Sequence, residues 1–313
     1  MLRFYNNPFP DPSDYPTAST LPPTAIKALL DLGADPLATD NKGKHVLHHL
    51  LEAEDRDRTP IIRQSLRYLA SHFPTLVNQP DSNGMYPLHT AMQRVRRLRD
   101  GGRIEITDPE FSVADLIAAG ANPHVRDAHG NNVLHYIADL GDMLTNSGLT
   151  EIDMTFSGEW SATIGCPAAA RRLFDILLDQ GVDVKARNDA GQTPMRILLD
   201  SGGAWMAKRG RWRGASSIYS SMEIEKLADE TEAKVFDKFG VAGVDWNERD
   251  EQGRTLLHAV AAHDNRRTVW RCKYLRDRGV DPLIRDMYGK TAVDLAWGVD
   301  RVVEALQDND AKD

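Results

Sequence analysis

A short pattern, Asp-x-x-Gly or Asn-x-x-Gly followed directly by an apolar helix start, recurs six times in this chain. Its fullest form is the stretch from Gly243 to Ala261, GVDWNERDEQGRTLLHAVA. The Asp250 to Gly253 spacing suits a tight turn in which glycine takes a positive φ without a Cβ clash. Thr255 stands where a hydroxyl can cap the first free N–H groups of a helix. Leu256, Leu257, Val260 and Ala261 then form an apolar face at helical spacing. One such helix is too short to bury that face alone, so the repetition decides the fold.

The first copy has Asp40, Gly43, His45, Leu47 and His48; the second has Asp81, Gly84, Pro87, Leu88 and His89. The third has Asp127, Gly130, Leu134 and His135; the fourth has Asn188, Gly191, Thr193, Pro194 and Met195. The fifth ends in Leu257 and His258, and the sixth has Asp286, Gly289, Thr291 and Val293 with Asp294 in the histidine slot. Lead-in phrases repeat as well: LLDLGADP at Leu29–Pro36, LIAAGANP at Leu116–Pro123, LLDQGVDV at Leu177–Val184 and YLRDRGVDP at Tyr274–Pro282. The first lead-in reads as a helix stopped by a glycine C-cap at Gly33. A helix over Thr24 to Gly33, a second from about Pro60 to His72 and a short last one over Val299 to Leu306 follow from the same spacing.

This repetition resembles the ankyrin-repeat family, whose units carry D-x-x-G-x-T-P-L-H-x-A between two antiparallel helices. The resemblance spans Thr24 to Leu306 and implies an all-α solenoid of about six to seven helix-pair units with short β-hairpin-like fingers. In such a stack Leu47, Leu88, Leu134 and Leu257 point inward. The six glycines lie 41, 46, 61, 62 and 36 residues apart, against a family period of about 33. The excess falls between the helices of a unit, giving long insertions at about 99–107, 141–166 and 201–220, expected to gather along one edge. The expected organisation is a Pro-rich arm over 1–22, one solenoid over 23–307 and a polar tail over 308–313.

Net charge is −8, which disfavours a general nucleic-acid binder, although nucleic acid stays open as a partner. Two cysteines, Cys166 and Cys272, are too few for a disulfide framework and point to a reducing compartment, cytoplasmic or nuclear. The N-terminal stretch lacks the apolar core of a signal peptide, and no apolar run is long enough to span a membrane. No dinucleotide fingerprint, P-loop or nucleophile elbow is present, so neither a cofactor nor a catalytic residue is assigned.

The resemblance implies a non-enzymatic protein-interaction module that meets another protein through the fingers and inner helices, or through the insertion edge. Met85, Tyr86, Asn131, Asn132, Arg254 and Tyr288 flank the turns and are the candidate contacts. Arg96, Arg97 and Arg99 form one basic cluster; Arg209, Arg211 and Trp212 belong to another that is interleaved with tryptophan. Arginine beside an aromatic ring suits an anion, so these six are the candidate anion-binding set. They support an alternative, an enzyme or enzyme subunit whose insertions form a pocket for a phosphate- or RNA-bearing substrate. The motif histidines brace their turns in the family. His45, His48 and His49 lack the further ligands that a metal would need. Asn78 and Asn247 occupy the finger position that resembles the hydroxylated asparagine of other ankyrin proteins.

Overall fold

The computed structural model describes residues 24–52, 59–100, 108–141, 144, 165–201, 221–263, 267–296 and 300–307. Among them are helices and turns but no β-strand. The chain divides into two units, 1–128 and 129–313.

In the first unit, α1 (Thr24–Asp31), α2 (Val46–Glu52), α3 (Thr59–His72), α4 (Pro87–Asp100) and α5 (Asp108–Ala118) follow in order, with a 3-10 turn over Pro74–Asn78. α2 packs on α4 in one layer, α3 packs on α5 in another, and α2–α3 and α4–α5 contacts join the layers. Leu47, Leu51, Leu66, Leu69, Leu88, Met92, Val113 and Leu116 are buried between them. Burying each such side chain stabilises the fold by about 1.5–3 kcal/mol relative to exposing it. The outer layer is also clamped: Arg63 and Arg67 of α3 both donate to Asp115 of α5, each at 2.8 Å. Burial pushes the Asp115 carboxyl up, but the two guanidinium groups overcome this and hold it below its ordinary value.

The second unit contains α6 (Val133–Ala138), α7 (Gly165–Asp179), α8 (Pro194–Ser201), α9 (Ser221–Val241), α10 (Leu256–Ala261), α11 (Thr268–Asp277), α12 (Ala292–Leu295) and α13 (Asp300–Gln307). The inner helices α6, α8, α10 and α12 pack each on the next. Among the outer helices, Phe174 of α7 meets Phe239 of α9, Phe236 of α9 meets Tyr274 of α11, and α11 packs on α13. The motif leucines Leu134 and Leu257 are fully buried, as Leu47 and Leu88 are in the first unit.

The first lead-in closes its helix as expected. Gly33 has φ 89°; its N–H donates to the Leu30 carbonyl while that of Ala34 donates to Leu29, satisfying carbonyls that the helix leaves open. Element ends differ slightly from the expected insertions. α4 runs on through Arg99 to Asp100, α8 includes Ser201, and α7 takes up Gly165 and Cys166. Leu144 is helical and buried. The rest of the three insertions (101–107, 142–143, 145–164 and 202–220), the arm over 1–22 and the tail over 308–313 lie outside the described residues. No helix among the described residues is long and apolar enough to cross a membrane.

Candidate recognition surface

Each finger is built from its first carboxylate or amide. Asp40 Oδ1 accepts from the N–H groups of Lys42 and Lys44, and Asp81 Oδ1 from those of Asn83 and Met85. In the second unit Asn188, Asp250 and Asp286 repeat the same pair of bonds two and four residues on. The turn closes at a glycine such as Gly43, with φ 70°. This satisfies backbone groups that a tight turn leaves without partners.

The fingers are tied side by side. In the first unit Ser82 N–H donates to Lys42 O at 2.9 Å and Ala128 N–H to Asn83 O at 3.3 Å. In the second, Asp189 N–H donates to His129 O at 2.9 Å and Met287 N–H to Gln252 O at 2.8 Å. The residue after each Asp or Asn therefore lies over the glycine of the finger before it. A Cβ on Gly43 would come within 2.8 Å of Ser82 N, and one on Gly84 within 2.9 Å of Ala128 N. Asp189 lies likewise over Gly130, Glu251 over Gly191 and Met287 over Gly253. Within each unit the side chains at these tips form a row, and Ser82, Ala128, Asp189 and Met287 stand on backbone N–H groups bonded to the finger before.

In three copies the histidine slot connects the inner helix to the next finger. Nδ1 of His89, His135 and His258 accepts the N–H three residues earlier, at 3.1–3.3 Å. That leaves Nε2 as the donor. His48, His135 and His258 place it on the carbonyls of Met85, Gln192 and Lys290, each the residue after the next finger's glycine. Burial pushes His89 down to about 4 and lowers His48 as well. His45, in the preceding slot, donates to Gln79 O at 3.0 Å and lies edge-on to His48; burial and the neighbouring ring bring it to about 4.

Two copies depart from histidine. Arg196 fills the slot in the fourth, and its Nη2 donates to Arg254 O at 2.6 Å, the carbonyl equivalent to those the histidines reach. It brings a buried charge, which Asp250 meets at 3.3 Å and Glu248 at 3.8 Å. Thr193 donates to Glu248 at 2.7 Å, yet burial outweighs these partners and raises the Glu248 carboxyl. Asp294 fills the slot in the sixth copy and accepts from Thr291 N–H at 2.8 Å. A carboxylate has no proton to donate to another finger's carbonyl.

The candidate contacts separate on this frame. Tyr288 is 67% exposed at the tip of the last finger, and Met287 beside it 66%. Met85 and Tyr86 are half-buried; Tyr86 leans edge-on against His89, and Met85 O accepts from His48. Asn131 Oδ1 accepts from Asn188 in the neighbouring finger at 2.9 Å, and Arg254 folds onto Asp250. Asn132 is only 2% exposed: its side chain caps α6 and donates to Asp183 O, so it braces the frame. Of the anion-binding set, Arg96, Arg97 and Arg99 lie in the last turns of α4. Arg209, Arg211 and Trp212 fall outside the described residues. Asn78 bridges forward, donating to Gly120 O and accepting from Asn122 N–H, both at 2.8 Å.

Sequence reasoning passed over a buried charge cluster. Arg271 is 1% exposed and donates twice to Glu232, at 2.9 and 2.6 Å, and once to Leu199 O at the end of α8. Arg267 adds a bond to the other Glu232 oxygen at 3.0 Å. Nearby, Arg278 lies 3.9 Å over the Tyr274 ring, and Tyr274 donates to Asp237. Apart from Arg278 on Tyr274, these partners lie tens of residues apart in the chain, so no local pattern announces them.

No family model matches the chain. It is 26% identical over 171 residues to the nuclear factor NF-kappa-B p105 subunit of Gallus gallus, covering 51% of this chain and 16% of that protein. It is 24% identical over 196 residues to the phosphocholine transferase AnkX of Legionella pneumophila, covering 56% of this chain and 19% of that protein. The chain thus matches less than a fifth of the length of either relative. The human ASB11 ankyrin repeat domain superposes with a TM-score of 0.54 at 17% identity, covering 91% of both chains. At that identity the likeness concerns the fold.

Proposed function

We propose, for this ankyrin-repeat chain, a non-enzymatic role as a protein-interaction module that meets its partner along the finger row. The supporting observation is the tip register. The residues after each Asp or Asn differ from copy to copy (Ser82, Ala128, Asp189, Glu251, Met287), while at Ser82, Ala128, Asp189 and Met287 the backbone beneath is bonded to the finger before. A surface already fixed before contact loses less conformational entropy on docking. Tyr288 is the strongest of the expected contacts, being aromatic and exposed.

The names of the two relatives differ in kind, one a nuclear-factor subunit and one a transferase, so the reading rests on the surface rather than on either name. The enzyme alternative draws on Arg96, Arg97 and Arg99 at the end of α4 and on insertion residues outside the described ones, and nothing on the fingers favours it. The reducing cytoplasm or nucleus fits the cysteine usage. Affinity purification from the native cell with mass spectrometry tests the reading. The wild-type chain is run beside Asp189→Lys/Tyr288→Ser, the outer-helix control Lys234→Ala, and a variant lacking Gly141 to Cys166. The expected result is a protein retained by the wild type, the control and the deletion but lost from the tip variant. Retention by the tip variant with loss from the deletion would move recognition to the insertion edge.

A further inference from the structure

Within the second unit, the tip row changes character from one end to the other. Asp189 and Glu251 are exposed at successive positions, and no cation among the described residues lies within ion-pair distance of either. Arg187, Arg196, Arg254 and Arg285 of these fingers are engaged elsewhere, while Arg249 is exposed two residues before Glu251. Arg187 and Arg285 fold back onto the carbonyls of Gly191 and Gly289, at 2.8 and 2.6 Å, and Arg196 and Arg254 face Asp250. The next finger then presents Met287 and Tyr288, with Leu283 on the same finger 73% exposed. Large apolar side chains exposed together on one finger are uncommon without a partner.

We propose that this stretch of the row docks an extended peptide segment whose lysine or arginine residues meet Asp189 and Glu251 and whose adjoining large apolar residue packs on Met287 and Tyr288. This rests on the finger row being the recognition surface and adds the chemistry of what it takes. The carboxylates select the sign of the segment and speed its approach, and the apolar pair supplies the anchor. The order of the two features along the row fixes their order along the segment.

The test is selection of random short peptides displayed against the full chain. Binding of the enriched peptides is then measured by fluorescence anisotropy to the wild type, to Asp189→Lys/Glu251→Lys and to Met287→Ser/Tyr288→Ser. All four positions are exposed, and circular dichroism checks the fold. Enrichment of peptides with lysine or arginine beside a large apolar residue is expected. Their affinity should fall on the order of tenfold in each double variant. Raising salt should weaken binding to the wild type more than to the charge-reversed form. Enriched peptides without basic residues that still lose affinity in the Met287/Tyr288 variant would overturn the proposal and leave the finger row standing. Peptides bound equally by all three proteins would overturn the finger row itself. Failure to enrich any peptide would overturn the proposal.

Discussion

At position 196 an arginine stands where four other copies carry histidine, and it reproduces only half of the histidine's chemistry. It donates to the next finger's carbonyl, but it has no acceptor for the N–H three residues back and it adds a charge. Arg196→Ala should cost roughly 3–5 kcal/mol, because Glu248 is left buried with only the longer 4.0 Å contact to Arg187 and the Arg254 carbonyl loses its donor. Arg196→His combined with Glu248→Gln should lose far less in a urea titration, since the histidine donor is restored and the uncompensated charge is gone. Equal losses would refute the assigned roles. The histidines themselves make stability depend on pH. His45 and His89 bind a proton only near 4 in the folded chain, against an ordinary value of 6.5. As pH falls below 6.5 the unfolded chain takes up protons first, so stability is full above 6.5 and is lost between 6.5 and 4. The loss should reach about 2–3 kcal/mol per ring at the bottom of that window. Replacing His89 with glutamine should lower the urea midpoint at pH 7 and flatten its further fall toward pH 5.

Two glycines in the first unit separate conformational strain from crowding at the scale of an element. Gly33 ends α1 with nothing within 4 Å of the place a Cβ would take, whereas a Cβ on Gly43 would strike the Ser82 backbone of the next finger. Both have positive φ, so Gly33→Ala should cost about 1–2 kcal/mol from conformation alone. Gly43→Ala should cost at least twice that in chemical denaturation; similar costs would mean that the fingers are not in close register. The sequence announced these turns because the Asp-x-x-Gly spacing carries its own bonding. It also announced Leu47, Leu88, Leu134 and Leu257 as buried, because their helical spacing follows each turn. It did not announce which neighbour each tip residue covers, since that register arises between fingers. Nor did it separate Asn132 from Tyr288: both flank a turn, but one side chain points inward to cap a helix and the other outward.

Across larger distances, the second unit is tied together by groups that the repeat motif does not contain. Arg271 joins α11 to Glu232 of α9 and to the open carbonyl of Leu199 at the end of α8. Glu232→Ala would strand a fully buried guanidinium and should cost about 3–5 kcal/mol. By calorimetry that loss should fall on the unfolding of residues 129–313. Within each unit neighbouring fingers are cross-linked by backbone bonds, in the second unit the third to the fourth and the fifth to the sixth, and both recognition and stability depend on these links. Site-resolved amide hydrogen exchange tests this most directly, at Ser82 and Ala128 in the first unit and Asp189 and Met287 in the second. The hydrogen bonds to the preceding fingers predict that these four amides exchange far more slowly than an unstructured peptide. Exchange at unstructured-peptide rates would contradict a cross-linked surface.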